Sequence, residues 1–248
     1  MRRILIIGAS SGIGRQVALD FARGGWRVGI AARSEERLKE MKSQYPDRIV
    51  YSVIDVTAED APRRFLDLIE LTGGMDVLLM SAGVGWVNPQ LHNDIDARTV
   101  AVNCSGFVGI IDAAYNYYKS AAPAGRGHIA AITSVAGTKG MGIAASYSAS
   151  KRFQSTYIDA LEQLARQEGV AVDFTDIRPG FIDTPLLSGI HDLPMTMSLG
   201  YAVPKVERAL LHRRRIAYID RRWGALTALW RALPRAIWKR MRLTVNQK

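Results

Sequence analysis

Residues 4–14 read Ile-Leu-Ile-Ile-Gly-Ala-Ser-Ser-Gly-Ile-Gly, and this stretch decides the fold class. The four apolar residues suit a buried strand, and glycines follow them at positions 8, 12 and 14. Glycine lets the backbone turn tightly and approach a pyrophosphate, whose charge is favoured at the N-terminus of a following helix. The stretch therefore predicts a first strand, a phosphate-binding turn and a first helix.

Short apolar runs alternate with helix-length amphipathic runs along the rest of the chain. We predict strands at 4–7, 28–32, 49–53, 77–81, 129–132, 170–177 and 216–219, and helices at 13–23, 35–44, 59–71, 95–121, 146–168 and 205–212. Strands separated by helices form parallel sheets that are covered on both faces. The sequence thus predicts an α/β fold of the Rossmann type, with a doubly wound, seven-stranded parallel sheet in three α/β/α layers.

Length and composition limit the possible organisation of the chain. Its 248 residues, 48% of them hydrophobic, suit one domain over residues 1–220, which includes an irregular segment at 184–203 and is extended by residues 221–248. Cys104 is the single cysteine and the four histidines lack metal-ligand spacing, so we expect neither a disulfide nor a metal site. No apolar run is long enough to span a membrane, and we expect a cytoplasmic protein.

The net charge of +10 is concentrated near the C-terminal end. Residues 205–248 hold 13 Lys and Arg against two acidic residues, a local charge of +11, which leaves residues 1–204 at −1. We therefore expect any electrostatic partner to bind the C-terminal segment alone.

The end of the second predicted strand indicates which dinucleotide suits the glycine turn. A site for NAD(H) usually places an acidic residue about 20 residues after the glycines, where it binds the ribose hydroxyls. This chain has Ala32, Arg33 and Ser34 there, and a guanidinium suits the 2′-phosphate of NADP(H). We expect NADP(H) to be favoured over NAD(H); the alternative is a solvated Arg33 and a site that accepts both. Asp55 and Val56, after the third strand, either contact the adenine or cap a helix.

Tyr147 and Lys151 are four residues apart in a predicted helix, so they project from the same face. A nearby cation favours the phenolate of a tyrosine, whose ordinary pKa is about 10, and so makes it a usable acid or base closer to neutral pH. The pair alone is a weak signal, because both residue types are common in helices.

Together with motifs elsewhere, the pair resembles the short-chain dehydrogenase/reductase family over residues 1–220. The matching motifs are the glycine turn, Asp55-Val56, Ser81-Ala82-Gly83, Asn103, Ser134, Tyr147-x-x-x-Lys151 and Arg178-Pro179-Gly180. One departure is Ser81, where the family usually has asparagine, whereas Ala82 and Gly83 keep the small side chains that leave room for the cofactor. The resemblance implies an oxidoreductase that interconverts a ketone or aldehyde and an alcohol, and Arg33 favours NADP(H) as its cofactor.

The resemblance also implies a role for each matching residue. Tyr147 would donate a proton to the substrate carbonyl, Ser134 would orient that carbonyl, and Lys151 would bind the nicotinamide ribose. Asn103 would position a water in the proton path behind Lys151. The structural alternatives are a turn cap for Ser134, an ordinary helix-interior residue for Asn103 and a loop hydroxyl for Thr184. The implied cofactor-binding residues are Gly8, Ser10, Ser11, Gly12, Ile13, Gly14, Arg33, Ser34, Asp55, Val56, Ala82, Gly83, Tyr147, Lys151, Pro179, Gly180, Ile182 and Thr184.

Segment 184–203, which covers the substrate in members of this family, is mainly apolar here. It includes Met195 and Met197, and methionine repacks readily around bulky apolar ligands. We therefore favour a hydrophobic or lipid-like carbonyl substrate. The alternative is that these side chains complete the core or a subunit contact.

The C-terminal extension has apolar residues at helical spacing with basic residues between them. The apolar positions are Trp223, Leu226, Trp230, Leu233, Ile237 and Met241, within segment 223–242. Such a segment either lies at a membrane interface, with arginines on anionic head groups, or packs on the body or a second subunit. We expect Pro234 to kink this helix. We do not expect nucleic-acid binding, because no nucleic-acid motif accompanies the charge.

Two functions of different classes follow from these patterns. The favoured one is a reductase that draws a lipid-like ketone from the inner face of the membrane, as a homodimer or homotetramer. The alternative is an NADP-sensing binding protein of the same fold without turnover. Such proteins typically lack the tyrosine or the lysine, and this chain has both Tyr147 and Lys151.

Overall fold

A seven-stranded parallel sheet forms the centre of the computed structural model, which describes residues 1–121, 126–187, 190–191, 193–241 and 246–247. Its strands are β1 (Arg3–Ile7), β2 (Arg27–Ala32), β3 (Ile49–Val53), β4 (Val77–Met80), β5 (Gly127–Ile132), β6 (Val172–Pro179) and β8 (Ile216–Ile219). Their order in the sheet is β3-β2-β1-β4-β5-β6-β8. Two short strands, β7 (Ile190–His191) and β9 (Asn246–Gln247), pair antiparallel outside this sheet. The predicted parallel sheet is confirmed.

Helices cover both faces of the sheet. They are α1 (Gly12–Arg23), α2 (Glu35–Gln44), α3 (Ala61–Thr72), α4 (Asn93–Val100), α5 (Phe107–Ala121), α6 (Ala145–Glu168), α7 (Leu199–Leu211), α8 (Arg221–Ala232) and α9 (Arg235–Trp238). Successive side chains of a strand point to opposite faces, so Ile4 and Ile6 of β1 pack with α1, α2, α7 and α8. Leu5 and Ile7 pack with α3, α5 and α6 on the other face. The predicted three-layer arrangement is therefore confirmed.

Two predicted helix boundaries differ from the structure. The helix predicted over 95–121 is divided into α4 and α5 by a π-helical turn, Ala101–Gly106, which hydrophobic spacing does not reveal. The helix predicted over 205–212 begins earlier, at Leu199, because Ser198 caps it by accepting a hydrogen bond from the Tyr201 amide. Pro204 lies inside this helix and made the early start hard to recognise.

The strand order reverses between β1 and β4, and this reversal locates the site. In an open parallel sheet, ligands bind beyond the carboxyl ends of the strands at the point where the order changes direction. The glycine turn after β1 and the loop after β4 meet there, since the Ser81 amide donates a hydrogen bond to the Ile7 carbonyl.

Candidate active site

One cavity of about 360 Å³ lies at the carboxyl ends of the strands and brings most of the predicted site residues together. Its lining includes Gly8, Ser10, Ser11, Gly12, Ile13, Arg33, Asp55, Val56, Ala82, Gly83, Ser134, Tyr147, Lys151, Pro179, Gly180, Ile182 and Thr184. Three predicted residues, Gly14, Ser34 and Asn103, are not part of that lining. Asn103 is instead fully buried behind it.

The glycine turn has the backbone geometry that a phosphate site needs. Gly8 has φ of +91°, and a Cβ there would lie 2.4 Å from the Ala82 amide nitrogen, so no other residue fits. Gly14 has a packing role, because its Cβ would lie 2.4 Å from the Gly8 carbonyl oxygen. The Ser11 side chain makes no capping hydrogen bond to α1. The first N–H groups of that helix therefore suit a dinucleotide pyrophosphate.

Arg33 and Asp55 lie at the adenosine end of the cavity, after β2 and β3. Asp55 Oδ1 accepts hydrogen bonds from both the amide and the hydroxyl of Thr57, and these bonds lower the pKa of Asp55. The charge of Arg33, which is exposed, adds to the lowering. Asp55 thus shapes the turn after β3 and is not the cap of α3, whose N-cap is Asp60.

Ser134 and Tyr147 both line the cavity, and they come from different elements. Ser134 caps the short 3₁₀ turn that follows β5 by accepting from the Ala136 amide at 3.0 Å, and its hydroxyl lies 3.4 Å from the Pro179 carbonyl oxygen. Desolvation raises the pKa of Tyr147, and the hydrogen bond with Ser134 opposes this increase. Burial has the larger effect, so the pKa of this phenol is raised and not lowered as expected from the sequence.

Lys151 is 4% exposed, and its ammonium group lies 5.8 Å from the centre of the Tyr147 ring. Lys151 Nζ donates to the Ile132 carbonyl and to Gln154 Oε1, both at 3.0 Å. Burial lowers the pKa of Lys151 to about 8, although the charge of Asp176 opposes the change. This lysine can therefore change its charge near physiological pH.

Asn103 lies in the π-helical turn and holds the loop after β4. Its side-chain amide donates to the Val84 carbonyl at 2.7 Å and to Ser150 Oγ at 3.0 Å, while its Oδ1 accepts from the Val84 amide. The Asn103 backbone carbonyl accepts a hydrogen bond from Gln154 Nε2. Gln154 also accepts from Lys151 Nζ, so its carboxamide links the Asn103 backbone to this lysine.

The C-terminal extension forms one wall of the cavity. This position was not predicted from the sequence. Trp223 of α8 is 1% exposed, and its indole edge is so close to Gly180 that a Cβ there would lie 2.1 Å from Trp223 Nε1. Trp230 makes an edge-to-face contact with Trp223, and it also lines the cavity. The Trp238 N–H donates to the Gly140 carbonyl at 2.8 Å. This face of the extension therefore packs on the body of the protein, which was one of the alternatives predicted for it.

Segment 184–203 contributes fewer side chains to the cavity than expected. Leu186, Leu187 and Leu193 line it, but Met197 is 3% exposed and packs with Met195 against the core. For these methionines, the alternative of completing the core is correct. Asp192 of this segment and Arg242 of the extension lie outside the described residues.

Two further findings concern metal ions and the membrane. Within the residues that the structure describes, no group of three or more His, Cys, Asp or Glu side chains is arranged to hold a metal ion. Among the described helices, none combines the length and the apolar character needed to cross a membrane.

The fold, the glycine turn and the Ser134, Tyr147 and Lys151 side chains at one cavity define a nicotinamide-dependent oxidoreductase. A family model described as short chain dehydrogenase matches residues 2–192. The chain belongs to the short-chain dehydrogenase family, and it is an NAD(P)-dependent enzyme that acts on CH–OH groups.

Relatives with known sequences extend this similarity over most of the chain. An uncharacterized oxidoreductase of Mycobacterium tuberculosis is 29% identical over 246 residues, covering 92% of this chain and 88% of that protein. An uncharacterized oxidoreductase of Myxococcus xanthus is 34% identical over 200 residues, covering 78% of this chain and 77% of that protein.

Solved structures share the fold at low sequence identity. ElxO with NADP bound has a TM-score of 0.76 and 20% identity, and the match covers 90% of this chain and 99% of that one. The 3-ketoacyl-(acyl-carrier-protein) reductase from Brucella melitensis, complexed with NADH, has a TM-score of 0.77 and 20% identity, covering 88% and 96% of the two chains.

Proposed function

We propose that this protein is an NADP(H)-dependent reductase of a hydrophobic ketone or aldehyde, which also catalyses the reverse oxidation of the alcohol. The observation that carries the proposal is the convergence of Ser134, Tyr147 and Lys151 on the cavity that the glycine turn also lines. The nicotinamide cofactor supplies the hydride when it is bound. The side chains of this protein supply position, a proton and a stabilising charge.

Each of the three side chains has one step to perform. The Ser134 hydroxyl donates a hydrogen bond to the substrate carbonyl oxygen and so fixes its position beside Tyr147. The Tyr147 hydroxyl gives its proton to that oxygen as negative charge develops there, which completes the alcohol. The ammonium of Lys151, 5.8 Å from the ring, stabilises the tyrosinate that remains.

The preference for NADP(H) is supported by Arg33, which is exposed at the rim of the cavity directly after β2. A guanidinium binds a phosphate by two parallel hydrogen bonds, which a ribose hydroxyl cannot match. Structures with a similar fold have been solved with NADP, for ElxO, and with NADH, for the Brucella reductase. Because similar folds bind either cofactor, we assign the proposed preference to this side chain.

A hydrophobic substrate is supported by the apolar residues that line the cavity. Aromatic and aliphatic side chains from four separate segments line it, namely Trp86, Val87, Met141, Ile143, Leu186, Leu187, Leu193 and Trp230. Apolar walls with a few convergent polar groups are typical of sites for apolar small molecules. The Brucella neighbour, a 3-ketoacyl-(acyl-carrier-protein) reductase, is named for a ketone substrate.

We also propose that the outer face of the extension contacts the inner face of the membrane. Leu229, Ile237 and Met241 are 61%, 51% and 45% exposed, and Arg235 and Lys239 lie exposed among them. Apolar side chains interspersed with basic ones bind anionic bilayer surfaces. Because Trp223 is buried in the core, a truncation before it would disturb the fold, so point variants are the suitable test.

The membrane test compares the intact chain with a variant that carries Leu229→Asn, Ile237→Asn and Met241→Gln. We expect the intact chain to sediment with vesicles containing anionic lipid and the variant to remain in the supernatant. Equal sedimentation of both proteins, or of neither, contradicts membrane contact and leaves the reductase proposal intact.

A homodimer or homotetramer is the proposed assembly. Val100 of α4 and Phe153 and Leu164 of α6 are apolar and 47%, 39% and 37% exposed, which favours a covered surface on these two helices. Light scattering after gel filtration gives the mass directly, and a monomer of 27.3 kDa would refute the assembly.

The test of the reductase proposal measures NADPH oxidation with ketones and aldehydes of increasing apolar size. We expect Tyr147→Phe to lower kcat by about 10²- to 10⁴-fold, because the acid is lost, while NADPH still binds. Tyr51→Phe, at a tyrosine outside the cavity lining, is the matched control and keeps its activity. NADPH binding without turnover in the wild type would instead support the alternative of an NADP-sensing binding protein.

A further inference from the structure

The side chain of Gln154 connects Lys151 to the backbone of Asn103. It is 1% exposed, and it lies on α6 almost one turn after Lys151. Its Oε1 accepts a hydrogen bond from Lys151 Nζ at 3.0 Å, and its Nε2 donates to the Asn103 carbonyl at 3.0 Å. Both ends of the carboxamide are therefore fixed, and the side chain cannot rotate without the loss of two buried hydrogen bonds.

The contacts of Lys151 favour its charged form. An ammonium has three N–H donors, of which one goes to the Ile132 carbonyl and one to Gln154 Oε1, both at 3.0 Å. A neutral amine would donate to the same two oxygens without the positive charge that strengthens such hydrogen bonds, so both acceptors favour the ammonium. The third N–H is available to the cavity that Lys151 lines.

A carboxamide in this place differs chemically from a water. A water accepts one proton and releases another, whereas a carboxamide does so only through its unfavourable imidic acid form. The Gln154 side chain thus supports Lys151 without joining it to a chain of exchangeable protons. We propose that Gln154 is a positioning residue, which holds Lys151 as an ammonium and directs its remaining N–H toward the nicotinamide ribose.

The inference rests on the proposed role of Lys151, and other nearby groups also influence that lysine. The charge of Asp176 on β6 favours the ammonium, and so would the thiolate of Cys104 in the π-helical turn, although burial raises the pKa of that thiol. Tyr147 lies on the same helix as Lys151. Gln154 is distinguished from them because its amide contacts Nζ directly. Its effect is therefore separable by substitutions that leave Asp176, Cys104 and Tyr147 in place.

The experiment measures NADPH binding by fluorescence between pH 6 and 10, which requires no turnover. We expect binding by the wild type to weaken as Lys151 loses its proton. Gln154→Leu keeps a similar volume but removes the acceptor, so the pH at which binding weakens should fall by about one unit or more. Gln154→Glu restores an acceptor and adds a negative charge, so this pH should rise. Gln163→Leu, at an exposed glutamine of α6, is the matched control.

Opposite shifts for the two Gln154 variants support the proposal. The same midpoint in Gln154→Leu, Gln154→Glu and the wild type, or shifts of both variants in one direction, would overturn it. Thermal melts identify a Gln154→Leu protein that does not fold, and the sign of the Gln154→Glu shift then decides alone. A wild type that binds NADPH but reduces no carbonyl would refute the reductase proposal without changing the outcome of this comparison.

Discussion

Gly85 lies directly against the ring of Tyr147, and a Cβ built on Gly85 would be 2.5 Å from Tyr147 Cδ2. That separation is far inside van der Waals contact, so a methyl group there must displace the ring of the proposed acid. We expect Gly85→Ala to lower kcat by about 10²-fold, because a displacement of about 1 Å from reacting geometry has an effect of this size. NADPH oxidation and a thermal melt together separate displacement from unfolding.

Gly142→Ala is the matched control for that substitution. Gly142 lies in the loop before α6, and a Cβ there would have no heavy atom of the described residues within 4 Å. We expect this variant to keep wild-type kinetics. Equal kinetics for Gly85→Ala would show that the Tyr147 ring is free to move without loss of function.

Arg33 should determine the choice of cofactor. Arg33→Gln removes the positive charge proposed for the 2′-phosphate, and we expect KM for NADPH to rise about tenfold, equivalent to about 1.4 kcal/mol of binding. The KM for NADH should change little, because that cofactor lacks the phosphate. The measurement is steady-state kinetics with both cofactors, and Arg63→Gln on the exposed side of α3 serves as the control. An unchanged ratio of the two KM values would assign the phosphate to another cation.

The sheet and the glycine turn were predictable because their signals are local. An apolar run followed by closely spaced glycines, as in residues 4–14, specifies a strand and a turn whatever the rest of the chain does. The division between α4 and α5 was not predictable, since a π-helical turn does not alter hydrophobic spacing enough to be recognised. An apolar residue pattern also does not say what the side chains pack against. Met197, for example, was expected beside the substrate but packs in the core.

Proposed site residues were predictable only where a short motif contains them. Tyr147 and Lys151 share one helical face, and their spacing was visible in the sequence. Gln154, three residues after Lys151, lies on that face too, and the spacing was the available signal for it. Trp223 and Trp230 are remote in sequence from the other cavity residues, and only the packing of α8 against Gly180 brings them there.

Trp230 should control which carbonyl compounds are accepted. Trp230→Ala removes most of an apolar wall, and we expect kcat/KM for large hydrophobic ketones to fall about tenfold or more, since burial of a large apolar side chain contributes about 1.5–3 kcal/mol. A small ketone that does not reach this wall should be reduced at the wild-type rate. Leu229→Ala, at the adjacent exposed position of α8, is the control. A parallel loss for small and large ketones would indicate damage to the fold and not a change of specificity.

Glu207 of α7 should make the stability of the protein depend on pH. Burial raises its pKa to about 7, and the nearby charge and hydrogen bond of Asp20 on α1 add to the increase. Because the folded-state pKa lies above the unfolded value of about 4.5, the folded state holds this proton more tightly. The resulting stabilisation is complete below about pH 4.5 and is lost as the pH rises through about 7.

Glu207→Gln stays uncharged, so we expect it to be more stable than the wild type at pH 8, by about 1 kcal/mol after solvent screening, and equal to it at pH 4. Denaturant titrations at the two pH values measure this difference, with Glu70→Gln at an exposed position of α3 as the control. A Glu207→Gln protein that is no more stable than the wild type at pH 8 would show that Glu207 is ionised in the folded state without strain.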